Sequence, residues 1–346
     1  MKKSRIVGFA LTLASTLVVG SAMGQVPTPL DATKNFVEIK AGTDDLVSLV
    51  QKGINHGFYV IPDAAYHASY STDGKMTTGF KWDWNVAFKP AAATVTPATA
   101  TGTADGTATT LANFQVFSFS DPGRYSITVA ESAPAAFGGC SGNLQLFKVY
   151  AFDAPSMENV TTDPANADCI STADILKNVH FNLFSSGTPY VKYKITQEDG
   201  TISAGGPTWG APSDLVASTE YKPATIWNWN QAATTLTALT ANGIQVGLTT
   251  PLDTATAKLG KYDLEIAQKL PAPSGTVRVK RYTFILEGVN GLLSRKAEIN
   301  QTTGAVPANY TYYTNITATK TNKVTFIVAV APKTGPVYHI GNNKAN

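Results

Sequence analysis

Residues 80–88 read Phe-Lys-Trp-Asp-Trp-Asn-Val-Ala-Phe, apolar and polar in alternation over the whole run. Successive side chains of an extended chain point to opposite faces, so this pattern predicts a strand with one buried face. Phe80, Trp82, Trp84, Val86 and Phe88 fall on that face. Lys81, Asp83, Asn85, Ala87 and Lys89 fall on the other. A ligand platform would not need five apolar residues on one face, but the core of a sheet sandwich would. A second Trp-x-Trp pair, Trp227 and Trp229, keeps the spacing with weaker alternation; the two pairs hold four of the five tryptophans.

The surrounding order of segments also recurs. After the first pair come the strand-like runs 114–120 and 124–131 around Asp-Pro-Gly, then 144–152. In the second half, 189–197 precedes Trp227, and 243–248 stands in the place of 114–119. Gly260-Lys-Tyr262-Asp-Leu264 matches Gly123-Arg-Tyr125-Ser-Ile127, and 277–286 matches 144–152. The core signature is thus Trp82, Trp84 and Tyr125 in one copy and Trp227, Trp229 and Tyr262 in the other. Residues 90–110, rich in Ala, Thr, Gly and Pro with a single charge, are expected to be an extended loop that buries little. Residues 310–320 and 323–332 are expected to form an extra C-terminal hairpin. Almost nothing reads as a long amphipathic helix. The class is all-β, with two sandwiches in tandem.

The N-terminus carries a basic Lys2-Lys3-Ser-Arg5 stretch, an apolar run from Ile6 to Gly20, and small residues at Ala22 and Gly24. This is the pattern of a cleaved export signal over residues 1–24. Its apolar run is short for a membrane span, and no later segment is long enough. The leader holds three of the 27 basic residues and none of the 24 acidic ones, so 24 of each remain. A mature chain of zero net charge lacks the positive field that nucleic acid requires. It also has weak protection against self-association.

The segment from Trp-x-Trp through Phe-x-Val-x-x-Phe-Ser-Asp-Pro-Gly-Arg-Tyr125 to Gly-Cys140-Ser-Gly and Val-Tyr-Ala-Phe-Asp-Ala-Pro-Ser resembles PKD-like and bacterial Ig-like domains. Such domains abound in secreted and surface proteins of Bacteroidetes-type bacteria. The resemblance covers about 55–170 and, more weakly, 185–290; the Phe-Gly-Asp-Gly turn of PKD domains proper is missing. It implies a central tryptophan (Trp82 or Trp84) under a late strand carrying Gly123, Tyr125, Ile127 and Val129. It also puts Cys140 before a final strand and Cys169 at the opening of the next domain. The domains so expected are 35–155 and 170–335. A linker at 25–34 precedes them, another at 156–169 separates them, and a tail covers 336–346. An exported chain with two cysteines favours one Cys140–Cys169 disulfide. It would close a loop of about 30 residues, worth roughly 3 kcal/mol.

No residue set identifies an enzyme. His56, His67, His180 and His339 lack His or Cys partners at ligand spacing, and each reads as an ordinary surface or sheet histidine. Neither a nucleophile elbow nor a phosphate loop is present. Asp83, Glu131, Glu198 and Asp199 are the acids that a glycoside hydrolase would draw on, but nothing couples them. Asp44-Asp45 and Glu198-Asp199 could offer calcium ligands, with solvated turns the plainer reading. No cofactor or metal is implied. The reading is a secreted structural, adhesive or assembly component of the cell surface or matrix, whose partners are other surface proteins or copies of itself. The alternative is a carbohydrate-binding protein, with Trp209, Tyr310, Tyr312 and Tyr313 as candidate glycan contacts.

Overall fold

The alternation at residues 80–88 does become a strand, and it lies in the middle of a sheet. A computed structural model describes residues 40–41, 46–107, 111–158, 167–170, 173–225, 232–253, 256–300, 305–314 and 321–332. For 40–41, 46–47, 71–72 and 167–170 it describes the backbone alone. The leader 1–24, the segment 25–34, the tail 336–346, Trp227, Trp229 and His339 lie outside the described residues.

The strands before Ser156 are β1 (Lys40–Ala41), β2 (Leu46–Gln51), β3 (Asn55–Tyr59), β4 (Lys81–Phe88), β5 (Val95–Thr96), β6 (Thr99–Thr103), β7 (Phe114–Phe119), β8 (Gly123–Ser132) and β9 (Gln145–Phe152). They form two sheets, in the orders β1-β2-β9-β8-β4-β6 and β3-β7-β5. The sheets face each other across Trp82, Trp84, Tyr125, Ile127 and Phe147 on one side and Phe58, Phe117 and Phe119 on the other. Phe58 and Phe147 meet across the interface at 5.2 Å between ring centres, Phe119 and Tyr125 at 4.8 Å. Trp82 and Trp84 are buried. Neither indole N–H meets an acceptor, so packing alone fixes these rings.

The strands from Ser156 on are β10 (Ser156–Met157), β11 (Ala167–Ile170), β12 (Ile175–Ser185), β13 (Pro189–Ser203), β14 (Gly206–Trp209), β15 (Ser213–Tyr221), β16 (Gly243–Thr250), β17 (Gly260–Leu270), β18 (Val279–Gly291) and β19 (Lys323–Val330). They too form two sheets. One runs β10-β12-β17-β16, the other β11-β19-β18-β13, with β14 and β15 both pairing β13. Phe181, Leu183, Tyr262 and Leu264 pack against Ile195, Tyr282, Phe284 and Val328. The class is all-β, with two short helices, α1 (Tyr70–Asp73) and α2 (Leu292–Glu298), among the described residues.

Five sequence expectations change. First, β4 does not keep its alternation to the end. Its pairing with β8 slips between Val86 and Phe88, a bulge that turns Phe88 outward to 54% exposure. Second, residues 90–110 are not a plain loop but contain β5 and β6. The small residues there permit close approach: a Cβ on Gly102 would sit 2.0 Å from the Ala112 carbonyl oxygen. Third, residues 56–70, whose aromatic and apolar run reads in the sequence as a strand, are strand only as far as Tyr59. Beyond it, Pro62 and one turn bonded through Asp63 lead to α1. Fourth, β10 and part of β11 lie within 156–169, the stretch read as a linker. Fifth, no strand covers 310–314, and β19 pairs with β18 and β11 rather than with a hairpin partner.

The internal repeat is shifted by one strand. In the first pair of sheets β8 lies between β4 and β9, and β2 runs parallel to β9. In the second pair, β18 lies between β13 and β19, and β11 runs parallel to β19. The counterpart of β8 is therefore β18, and that of Tyr125 is Tyr282. Tyr262, on β17, lies buried in the opposite sheet. Both equivalent tyrosines are buried and reach back to the chain before them. Tyr125 Oη donates to the Asp121 carbonyl at 2.7 Å, and Tyr282 Oη donates to that of Pro271. Each hydroxyl thereby satisfies a carbonyl of the chain that leads into its own strand.

The two halves touch through a small apolar cluster of Leu49, Tyr150, Phe152 and Leu252, with Leu293 of α2 beside it. Gln51 Nε2 adds a hydrogen bond to Tyr313 Oη at 2.8 Å.

Candidate functional site

The rings expected to stack on sugars are engaged inside the protein. Trp209 lies across Gly200, where a Cβ would come within 2.9 Å of its ring. The Arg281 guanidinium sits 4.7 Å from its centre, held by two hydrogen bonds to Glu198. Arg295 of α2 stacks over Tyr190 at 4.0 Å and Tyr310 at 4.2 Å. It also donates to Glu220 and, at 2.7 Å, to Tyr312 Oη, which itself donates to Glu220. Burial works to raise the Glu220 carboxyl, but these two partners outweigh it and hold its pKa below the ordinary value. Tyr313 is tied to Val289 by two backbone bonds and to Gln51 by its hydroxyl. The tyrosine-rich segment is thus a strap over α2 and the junction between the halves.

The acids are dispersed as well. Asp83 accepts from Thr101 on the outer face, Glu198 pairs with Arg281, and Asp199 with Lys280 at 3.4 Å. Cations already occupy Glu198 and Asp199, which removes the calcium reading there; Asp44 and Asp45 lie outside the described residues. Among the described residues no three metal-ligating side chains cluster.

Cys140 is an exposed free thiol, which corrects the expected Cys140–Cys169 disulfide. The backbone of Cys169 is drawn into the second pair of sheets, opposite Ala329 of β19. Cys140 is held in the β8–β9 connection, where its carbonyl accepts the Ala133 N–H at 2.9 Å.

A concave feature among the described residues that sequence reasoning missed lies around that connection. It is a recess of about 260 Å³ at one end of the first sandwich. The β3–β4 connection supplies Asp63 and Tyr66, the β8–β9 connection Cys140 to Asn143, and the sheet ends Phe80, Glu131 and Gln145. A ladder of rings runs from the core to its rim. His67 meets Trp82 at 5.5 Å and Phe80 at 4.5 Å; Phe80 meets Tyr66 and Phe137 at 5.4 Å each. Tyr66 and Phe137 stand nearly perpendicular at 6.3 Å, each 48% exposed.

Both walls are fixed by local bonding. The N–H groups of Tyr66 and His67 donate to the Asp63 carbonyl, and that of Ala65 to Asp63 Oδ1. Phe137 closes a 3-10 turn onto Pro134, and Gly138 and Gly139 follow in the left-handed region at φ 89° and 66°. The buried His67 imidazole links the walls. Its Nδ1 accepts the Thr77 N–H at 2.9 Å, so its Nε2–H donates to Glu131 at 2.6 Å. With both nitrogens committed, this histidine has no site left to take a proton from a substrate. A sequence signal for the recess existed only in part: an aromatic followed by two glycines at 137–139, a pattern that by itself marks only a turn.

No family profile and no curated protein matches the chain. Solved structures that match include the calcium-binding domain CBD12 of CALX1.1, at 6% identity and TM-score 0.24, covering 82% of this chain and 97% of that one. A carbohydrate-binding module of the β-sandwich superfamily matches at 9% identity and TM-score 0.21, over 70% and 92%. The CsuC–CsuE chaperone–tip adhesion subunit complex of Acinetobacter baumannii matches at 12% identity and TM-score 0.19, over 70% and 97%. Among the described residues no helix is long and apolar enough to cross a membrane.

Proposed function

We propose that the protein is an exported, non-enzymatic adhesive or assembly component that works at the cell surface or in the matrix. Its contact surface is the loop end of the first sandwich. The observation that carries this reading is the recess between the β3–β4 and β8–β9 connections, lined by the half-exposed Tyr66, with the half-exposed Phe137 edge-on beside that ring. In a sandwich of this type these connections share one end, the end on which variable immunoglobulin domains carry their binding loops. The second sandwich, with its half-buried Arg295, Glu220 and Tyr312 cluster, serves as a stiff spacer. The division into domains 35–155 and 170–335, the PKD-like subfamily and the 1–24 leader belong to the same proposal.

The test uses labelled mature protein on intact cells and extracellular material of the producing strain. Binding is expected, with loss in Phe137→Asp and retention in Ile202→Asp, which alters an exposed residue of β13. Equal binding by both variants, or a chain found in the cytosol with residues 1–24 intact, refutes the proposal.

A second route to assembly has its own observation. β6 is a sheet edge among the described strands, and its run Thr-Ala-Thr-Gly-Thr carries neither charge nor proline, the usual guards against edge pairing. Sedimentation over a concentration series should show self-association that Thr101→Lys reduces; a strict monomer at high concentration removes this route.

A further inference from the structure

The chemistry of the recess selects a class of ligand. Tyr66 and Phe137 present two exposed ring surfaces at 87° to each other, both packed on the buried Phe80. The C–H face of a pyranose is apolar and matches such a ring, while its rim of hydroxyls needs donors and acceptors close by. Both kinds line the cavity. The Asn143 and Gln145 amides have no hydrogen-bond partner among the described residues, and each offers a donor and an acceptor. Glu131 is aimed by the His67 Nε2–H, with one of its oxygens also near the Asp63 N–H at 3.4 Å.

Charge narrows the class further. The ionisable lining groups are the Asp63 and Glu131 carboxylates, together with the Cys140 thiol and the Tyr66 phenol; no Lys, Arg or His side chain lines the cavity. Two carboxylates without a cation repel a sulfated or uronic sugar. They accept hydrogen bonds from neutral hydroxyls at no such cost.

We propose that the loop-end recess of the first sandwich binds a neutral hexose unit, stacked on Tyr66 and Phe137 and hydrogen-bonded by Asn143, Gln145 and Glu131. This inference rests on the reading of that end as the contact surface and names what it contacts. It also moves saccharide recognition away from Trp209 and Tyr310, whose rings are already taken by Arg281 and Arg295. The site is pre-formed, because the bonded turns of both connections and the His67–Glu131 link hold the rings and the carboxylate before any ligand arrives.

The experiment is a glycan array followed by calorimetric titration of the full mature chain. The probes are neutral gluco-, galacto- and manno-oligosaccharides, with uronate and sulfated oligosaccharides alongside. Wild type should bind at least one neutral probe and prefer it to its acidic counterparts. Tyr66→Ala with Phe137→Ala should weaken that binding tenfold or more, and Trp209→Ala should leave it within twofold. Gln145→Ala, at a sheet end with no internal bond to lose, gives a second readout if the double variant fails to fold; it should weaken binding at least threefold. Binding lost only in Trp209→Ala, preference for acidic probes, or no saccharide binding at all each overturns the inference. If no saccharide binds while surface attachment persists and still depends on Phe137, the ligand class fails and the contact surface stands.

Discussion

His56 on β3 makes the stability of the first sandwich depend on pH in a calculable way. Its ring is 7% exposed, and its Nε2–H donates to the Gln51 carbonyl at 2.6 Å. Burial lowers its pKa from 6.5 to about 4, against a smaller opposing effect of that hydrogen bond. The sign follows from proton counting. Between about pH 6.5 and 4 the unfolded chain carries a proton that the folded chain refuses, so acid favours unfolding there. The contribution is fully present above pH 6.5 and is lost as pH falls. It costs about 2 kcal/mol by pH 5 and roughly 3 kcal/mol by pH 4.

Carboxylates titrate in the same region, so the variant His56→Gln isolates the effect. Urea unfolding of wild type and variant at pH 7, 6 and 5, read by hydrogen exchange in β3 and β4, gives the difference between them. That difference should move by about 2 kcal/mol in the variant's favour from pH 7 to 5. This corresponds to a relative midpoint change of about 1 M for a slope near 2 kcal/mol/M. A difference that stays constant within about 0.5 kcal/mol would refute the burial argument.

The shifted repeat makes Tyr125→Phe and Tyr282→Phe equivalent changes. Each loses one hydroxyl bond to a carbonyl that water can reach and should cost about 1 kcal/mol, seen as a fall of a few degrees in the melting of its own sandwich. Gly102→Ala drives a methyl into the Ala112 carbonyl and should cost about 2–3 kcal/mol in chemical denaturation. Arg295→Ala leaves Glu220 without its guanidinium and unstacks Tyr190 and Tyr310. Proteolysis within 305–314 should then accelerate at least tenfold while the first sandwich melts unchanged.

What was legible in the sequence was local. The run 80–88 announces a strand with one buried face because period 2 is a property of neighbouring residues, and Trp82 and Trp84 are indeed buried. The same logic failed at Phe88, where a one-residue bulge reverses the faces without altering the sequence pattern. It failed again over 90–110, where Ala, Thr and Gly read as unable to bury surface. Their small size is what lets β6 lie against the Ala112 backbone. Tyr262 passed for the counterpart of Tyr125 because a Gly-x-Tyr opening suits any strand with one face in a core. Only the pairing of β18 with β13 and β19 assigns that place to Tyr282. The recess was invisible for a related reason. Tyr66 and Phe137 lie in two connections without periodicity, and the fold alone brings them onto Phe80.

The loop end as contact surface can be tested without knowing the ligand, because Cys140 lines the recess and its thiol is free. In a Cys169→Ser background, a polymer-bearing maleimide attached at Cys140 covers the recess and leaves the second sandwich untouched. The adduct should bind cells and extracellular material at least tenfold more weakly than the unreacted protein, and prior binding should slow the labelling. An adduct that binds as well as unreacted protein would contradict the account.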